Sequence, residues 1–274
     1  MQRNKILGIL LSSGLIWLSS CNKDSDTIAN DFVTSSEDYT AQQDLLDANE
    51  SEITDQIDAG LLALTTRSFP TRTWTNPKGT FPNTLTIDYG PDGVTGPYGH
   101  VRKGKIIVQI SAPLKTVGSV RTVSHQDFFI DDVRVEGTVS LTNQGPNGSG
   151  QNIYLRNVVG RKLTFPSGKT INWNANQIIT QLEGNATPDI RLDDVWSILG
   201  TSSGTNRSGK QFNVSTPDAL VFKFTCPWIV QGSILLSVDN NSLSIDYGDG
   251  NCNNDALLTL PDGTTRNIKI RRWW

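Results

Sequence analysis

The sequence predicts an all-β protein: an antiparallel meander forming a sandwich or open barrel of about a dozen strands, preceded by one N-terminal amphipathic helix. Three observations predict it. Apolar and polar residues alternate with a period of two through most of the chain, turn clusters recur between the alternating runs, and no helical period appears after residue 83. The 274 residues are 36% hydrophobic and 19% charged with a formal net charge of −3, which is the balance of a folded chain, not of a disordered or collagen-like one.

Arg3 and Lys5 open the chain, Ile6 to Trp17 is an apolar stretch, and Leu18-Ser19-Ser20 precedes Cys21. A charged start, an apolar run and small residues before the cut define a secretory signal over residues 1–20. With a Cys directly after the small pair, this signal resembles that of bacterial lipoproteins. The resemblance implies that the Cys21 thiol takes a diacylglycerol as a thioether and that its freed amine takes a further acyl chain such as palmitate. Two or more buried chains hold a protein stably on a bilayer. The chain has no run of about 18 apolar residues, so a spanning helix is excluded. The expected address is the outer membrane, lipid-anchored, at the cell surface or the periplasmic face. The partner there is the membrane itself, through Cys21. Asn22-Lys23-Asp24-Ser25-Asp26 resembles the surface-export signal of Bacteroidota lipoproteins, with Ser25 interrupting its acidic pair, and Asp26-Thr27-Ile28 resembles the O-glycosylation acceptor of that phylum.

Residues 21–40 are polar and read as a flexible tether. Over residues 41–65 the period changes: Leu46, Ile53, Ile57, Leu61 and Leu64 share one helical face, and Asp44, Asp47, Glu50, Glu52, Asp55 and Asp58 cover the other. Residues 21–64 hold one base and 11 acids, whereas residues 65–274 hold 21 bases and 16 acids, so the acidic helix is expected to pack on the mildly basic body, the alternative being a partner-binding or spacer helix. The bases of that body are scattered singly without an aromatic-lined stripe, which excludes nucleic acid as a partner. Residues 66–83 are rich in Pro and read as an extended lead-in pinned by Phe69, Trp74 and Phe81.

Residues 84–274 form the β domain. Val133, Val135, Val139 and Leu141 alternate with Arg134, Glu136, Thr138 and Ser140, as in an antiparallel strand with one wet face. Pro166-Ser167-Gly168, Arg207-Ser208-Gly209 and Pro261-Asp262-Gly263 are turn signals. Short stretches recur, including Leu163-Thr164-Phe165-Pro166-Ser167-Gly168 with Leu258-Thr259-Leu260-Pro261-Asp262-Gly263, and Ile87-Asp88-Tyr89-Gly90 with Ile245-Asp246-Tyr247-Gly248. Their offsets differ, so they read as shared hairpin chemistry instead of a tandem duplication. Each Ile-Asp-Tyr-Gly is expected to close a strand, its Asp bonding backbone amides and its Tyr lying on a sheet edge.

The Ile245–Cys252 stretch, the Cys226-Pro227-Trp228-Ile229-Val230-Gln231-Gly232 stretch and the Gly200–Gly209 segment resemble a family of Bacteroidota lipoproteins that carries no established activity. The likeness covers roughly residues 80–270 and implies location and fold alone. Where relatives carry cysteines after the first Asp-Tyr-Gly element, this chain has Pro91-Asp92-Gly93-Val94.

Candidate chemistry is sparse. Cys226 and Cys252, exported and 26 residues apart, suit a disulfide. No CxxC or adjacent His points to catalysis or zinc. The oxygen-rich run Asp246, Asp249, Asn251, Asn253 and Asp255 lacks the pattern of a calcium loop, so no metal and no cofactor are expected. Ser124 and His125 are strand neighbours that point to opposite faces, and no nucleophile elbow is present. Asp131-Asp132 and Asp193-Asp194 read as turn residues, with no catalytic residue assigned. The functional expectation is a non-catalytic binding or structural role. Its alternative is a carbohydrate-binding accessory module that stacks a glycan partner on exposed Trp173, Trp196 and Trp228, and a second alternative is a carboxylate-dependent glycan hydrolase.

Overall fold

The computed structural model describes residues 34–40, 42–43, 45–46, 49–50, 53–54, 57, 70–96, 99–187, 190, 192–239 and 241–270. The signal segment, Cys21, Asp26-Thr27-Ile28, Leu61, Leu64, Phe69, Trp273 and Trp274 lie outside the described residues.

The alternating segments become strands β1 (Thr71–Trp74), β2 (Asn83–Asp88), β3 (Val94–Thr95), β4 (Val101–Ile110), β5 (Val120–Ile130), β6 (Val133–Pro146), β7 (Asn152–Thr164), β8 (Thr170–Glu183), β9 (Val195–Thr205), β10 (Gln211–Lys223), β11 (Ile229–Val238), β12 (Asn241–Asp249), β13 (Asp255–Thr259) and β14 (Thr265–Lys269). They form one antiparallel sheet in chain order, with β3 pairing only β4 and β2 also pairing β4. The sheet is open: among the described residues no ladder joins β1 to β14. Strand β1 lies inside the stretch expected to be an extended lead-in. Trp74 at its end packs on the core, as does Phe81.

Alternation decides the two faces. Along β8, Ile171, Trp173, Ala175, Gln177 and Ile179 are buried, while Asn172, Asn174, Asn176 and Ile178 are exposed. Leu85, Ile106, Val139, Trp173, Phe212, Ile234 and Ile245 belong to a single buried cluster, although they come from strands along the length of the sheet. A sheet whose distant strands share one core must curl. Bulges supply the curvature. The β6–β7 register shifts between Glu136 and Thr138, and Gly137 between them has φ +101°. A Cβ there would lie 2.5 Å from the Arg161 Cα, so only glycine lets the two backbones approach this closely. A bulge in β5 near Asp127 (φ 45°) flips the phase, so Arg121 and Val123 face the core before it and Phe128 and Ile130 after it.

The hairpins follow the turn chemistry. In Phe165–Lys169, Phe165 N donates to Lys169 O at 2.9 Å and Gly168 N donates to Phe165 O at 2.9 Å; Leu260–Thr264 and Asn206–Lys210 have the same pattern. This is a type I turn closed by a left-handed glycine, Gly168 at φ +80° and Gly263 at +81°, which explains why these stretches look alike in sequence. Asp131 and Asp132, both at positive φ, form the tight β5–β6 turn. The amides of Gly90 and Gly248 donate to the carboxylates of Asp88 and Asp246, as expected of the repeated motif. Tyr89 and Tyr247, however, are buried in the core instead of lying on an edge, because each continues the inward alternation of its strand, after Leu85 and Ile87 in one case and Leu243 and Ile245 in the other.

The N-terminal helix, α1, contributes helical residues between 34 and 57. It therefore reaches back into the stretch assigned to a tether. Tyr39, Leu45, Leu46 and Ile53 are buried in the same cluster as the sheet, and Ile57 packs against it. Helix α1 thus lies on the concave side and fills the curl.

Candidate functional site

The seam between α1 and the concave face is polar as well as apolar. Arg102, Arg121, Arg156 and Arg161 are all buried. Ile110, Arg121, Leu141, Arg156 and Gln177 form one cross-strand row from β4 to β8, so register alone places two guanidinium groups and an amide beside hydrocarbon. Burial, and then the like charge of Arg156, depress the pKa of Arg121 to about 10, with Tyr154 opposing.

Helix α1 meets the concave face and the β9–β10 hairpin at helical spacing. Asn206 Nδ2 donates to Ser35 Oγ at 2.9 Å; Arg207 N and Nε donate to the buried Asp38 carboxylate at 2.6 and 2.5 Å. Tyr39 packs edge-on against Trp173. Arg161 Nε donates to Gln42 Oε1 at 3.2 Å, Gln177 Nε2 to Gln43 Oε1 at 3.2 Å, and Arg156 Nε to Gln177 Oε1 at 2.8 Å. Glu50 pairs with Arg121. From Ser35 to Glu50 the helix rises about 22 Å. The sheet from β9 to β5 spans about 19 Å, so α1 runs across the strands. Glu50, expected on the wet face, is a partner of the sheet.

His125 sits at the margin of this seam. Its ring stacks on Phe128, with centroids 5.3 Å apart, and Nδ1 donates to Gly137 O at 3.2 Å. Burial, then the Arg161 charge, push its pKa down to about 3, so the ring is neutral. His100 is far from this arrangement in the turns: it pairs with Asp131, whose other oxygen accepts from Val101 N at 2.8 Å.

The convex face has a different character. Thr84, Gln109, Thr122, Ser140, Asn157, Asn176, Thr201 and Ser215 form one continuous cross-strand row. Where this row meets Asn174, Ser203 and Asn213, the surface forms a shallow groove of about 330 Å³. This polar row runs beside exposed apolar side chains: Ile178 and Leu199 are paired across β8 and β9, and Leu235 also lines the groove.

The expected site residues fall as follows. Cys226 and Cys252 are bonded, with Cα atoms 5.7 Å apart, and tie the β10–β11 loop to the β12–β13 loop. Trp173 is 0% exposed and is a core residue, because its β8 position faces inward. Trp196 packs on the core and against Tyr154, and Trp228 is half-buried in the loop beside the disulfide. The structure does not bring these three together as a stacking platform. Asp193 and Asp194 accept from Thr187 Oγ1 and Gln181 Nε2, and the Asp249, Asn251 and Asn253 side chains are hydrogen-bonded within their own loop. Sequence reasoning missed Arg121, Arg156, Arg161 and Asp38. The available signal was phase: Arg121 shares the parity of Val123, and Arg156 that of Tyr154 and Val158. The chain matches no protein-family model, no curated protein and no solved structure.

Proposed function

We propose that this chain is an envelope lipoprotein, acylated at Cys21, whose β domain is a non-catalytic binding module. The signal-like residues 1–20 and the Cys after them support the anchor. The observation that carries the binding role is the convex groove. Asn174, Asn176, Thr201, Ser203, Asn213 and Ser215 present neutral donors and acceptors to solvent on rigid strands. Groups of this kind match the hydroxyls of a polysaccharide, so the ligand class is a neutral glycan held by hydrogen bonds instead of by tryptophan stacking.

The test pairs two measurements. Native protein should enter the detergent phase of a cloud-point partition, with an acylated first peptide in its mass spectrum; an unmodified peptide in the aqueous phase contradicts the anchor. In a pull-down with insoluble and soluble polysaccharides, the wild-type chain should retain at least one neutral glycan, and Asn176→Leu/Asn213→Leu should lose it. Retention unchanged in that variant contradicts the groove.

A further inference from the structure

We propose that the concave face of the sheet is a binding site for a carboxylate-headed acyl chain, and that helix α1 is a plug that lifts to admit it. This inference rests on the inner seam and is independent of both the convex groove and the Cys21 anchor.

The plug shows what the site accepts. Glu50 places a carboxylate on Arg121, and Leu46 and Ile53, about one turn away on either side, are buried in the apolar core. A negative head amid hydrocarbon is the chemistry of a fatty acid. The wall has the matching parts: Arg121 and Arg156 stand in one row, and Val123, Val139 and Val158 are buried in the core beside them.

The helix fills this site imperfectly. Asn49 is 2% exposed, yet among the described residues neither its Oδ1 nor its Nδ2 has a hydrogen-bond partner. Gln42 Nε2, Trp173 Nε1 and Arg121 Nε are buried in the same condition. A permanent interface pairs such groups. Glu50 engages Arg121 through Nη2 and leaves Nε without a partner among the described residues, whereas a free carboxylate can reach both and form the two-pronged contact that guanidinium favours. Every ladder of the sheet joins strand to strand, so α1 can leave without breaking one.

The test uses the full chain carrying Cys21→Ser, so that no acyl group of its own competes, titrated with the fluorescent fatty acid cis-parinaric acid and with its methyl ester. The acid should bind saturably at one site, roughly tenfold tighter than the ester, since a charge-assisted contact is lost in the ester. Glu50→Gln loosens the plug and should tighten binding of the acid by about fivefold or more. In Arg121→Met, acid and ester should bind alike. Bound acid should speed amide exchange across residues 42–50 while β8 stays protected. No saturable binding in Glu50→Gln, equal binding of acid and ester in the wild type, an unchanged affinity in Glu50→Gln, or loosening of β8 together with the helix would each overturn the proposal. So would an acidic amphipathic peptide that lifts the helix when parinaric acid does not.

Discussion

Replacing Glu50 by Gln keeps the side chain's size and removes the charge that faces Arg121. The Arg121 side chain is 4% exposed and that of Glu50 18%. Breaking a buried ion pair from one side costs about 3–5 kcal/mol, because the remaining charge stays in the interior without its partner. The partial exposure of Glu50 places the cost near the lower end, about 3 kcal/mol. Since α1 contributes no ladder to the sheet, this cost falls on local opening of the helix more than on global unfolding. At about 1.4 kcal/mol per factor of ten, the helix should open on the order of a hundredfold more often. Hydrogen exchange read by mass spectrometry, on peptides covering residues 42–50, measures that opening. The Arg121→Met/Glu50→Gln double variant should recover much of the lost protection, because no charge is then left without a partner. Unchanged exchange in Glu50→Gln, or an equal rise in β8 peptides, would refute the reasoning.

Three further predictions follow from the core. His125 has a folded pKa of about 3 against an ordinary 6.5. Between those values the unfolded chain takes up a proton that the folded chain refuses, so stability is present near neutral pH and falls as pH drops through the window, by a few kcal/mol in all. Urea unfolding at pH 7, 5 and 4 should show this slope, and His125→Phe should flatten it; the same slope in both would exclude His125 as its source. Trp173→Ala empties the centre of the seam and should cost about 3–5 kcal/mol in urea unfolding while leaving glycan retention unchanged. A loss of retention without a loss of stability would return Trp173 to the ligand-binding role. Opening the Cys226–Cys252 bond with Cys226→Ser/Cys252→Ser should cost about 3 kcal/mol for a loop of this length, read as a lower urea midpoint; an unchanged midpoint would show that the bond constrains little.

The sheet was legible because its rules are local. Alternation set the strands, Pro-Ser-Gly and Pro-Asp-Gly set their hairpins, and spacing on one face put Leu46, Ile53 and Ile57 against the core. The site was less legible because its logic joins distant segments. Ser35 and Asp38 look like tether residues until Asn206 and Arg207 of the β9–β10 hairpin meet them. Glu50 belongs to an acidic run, yet it stands four residues after Leu46 and three before Ile53, so helical spacing itself turns it toward the sheet and Arg121. Periodicity assigns a side chain to a face but does not say which partner waits there. Bulges add a second difficulty, since the shift in β5 moves the inward positions from odd to even numbers, separating Arg121 from Phe128 in phase. Trp173 was misread for a simpler reason: an aromatic on a strand suits a stacking platform or a core equally well, and only its neighbours decide.

The clasp between α1 and the concave face is tested most directly by cross-linking Gln43→Cys with Gln177→Cys, two positions whose native side chains share a hydrogen bond at 3.2 Å. Because hydrogen-bonded glutamines hold their Cα atoms farther apart than a direct disulfide spans, a short bifunctional thiol cross-linker is used, and peptide mapping should give an intramolecular 43–177 bridge in most molecules, with Cys226–Cys252 intact. Both new thiols remaining free, or bridging only between separate chains, would mean that the helix does not lie where this account places it.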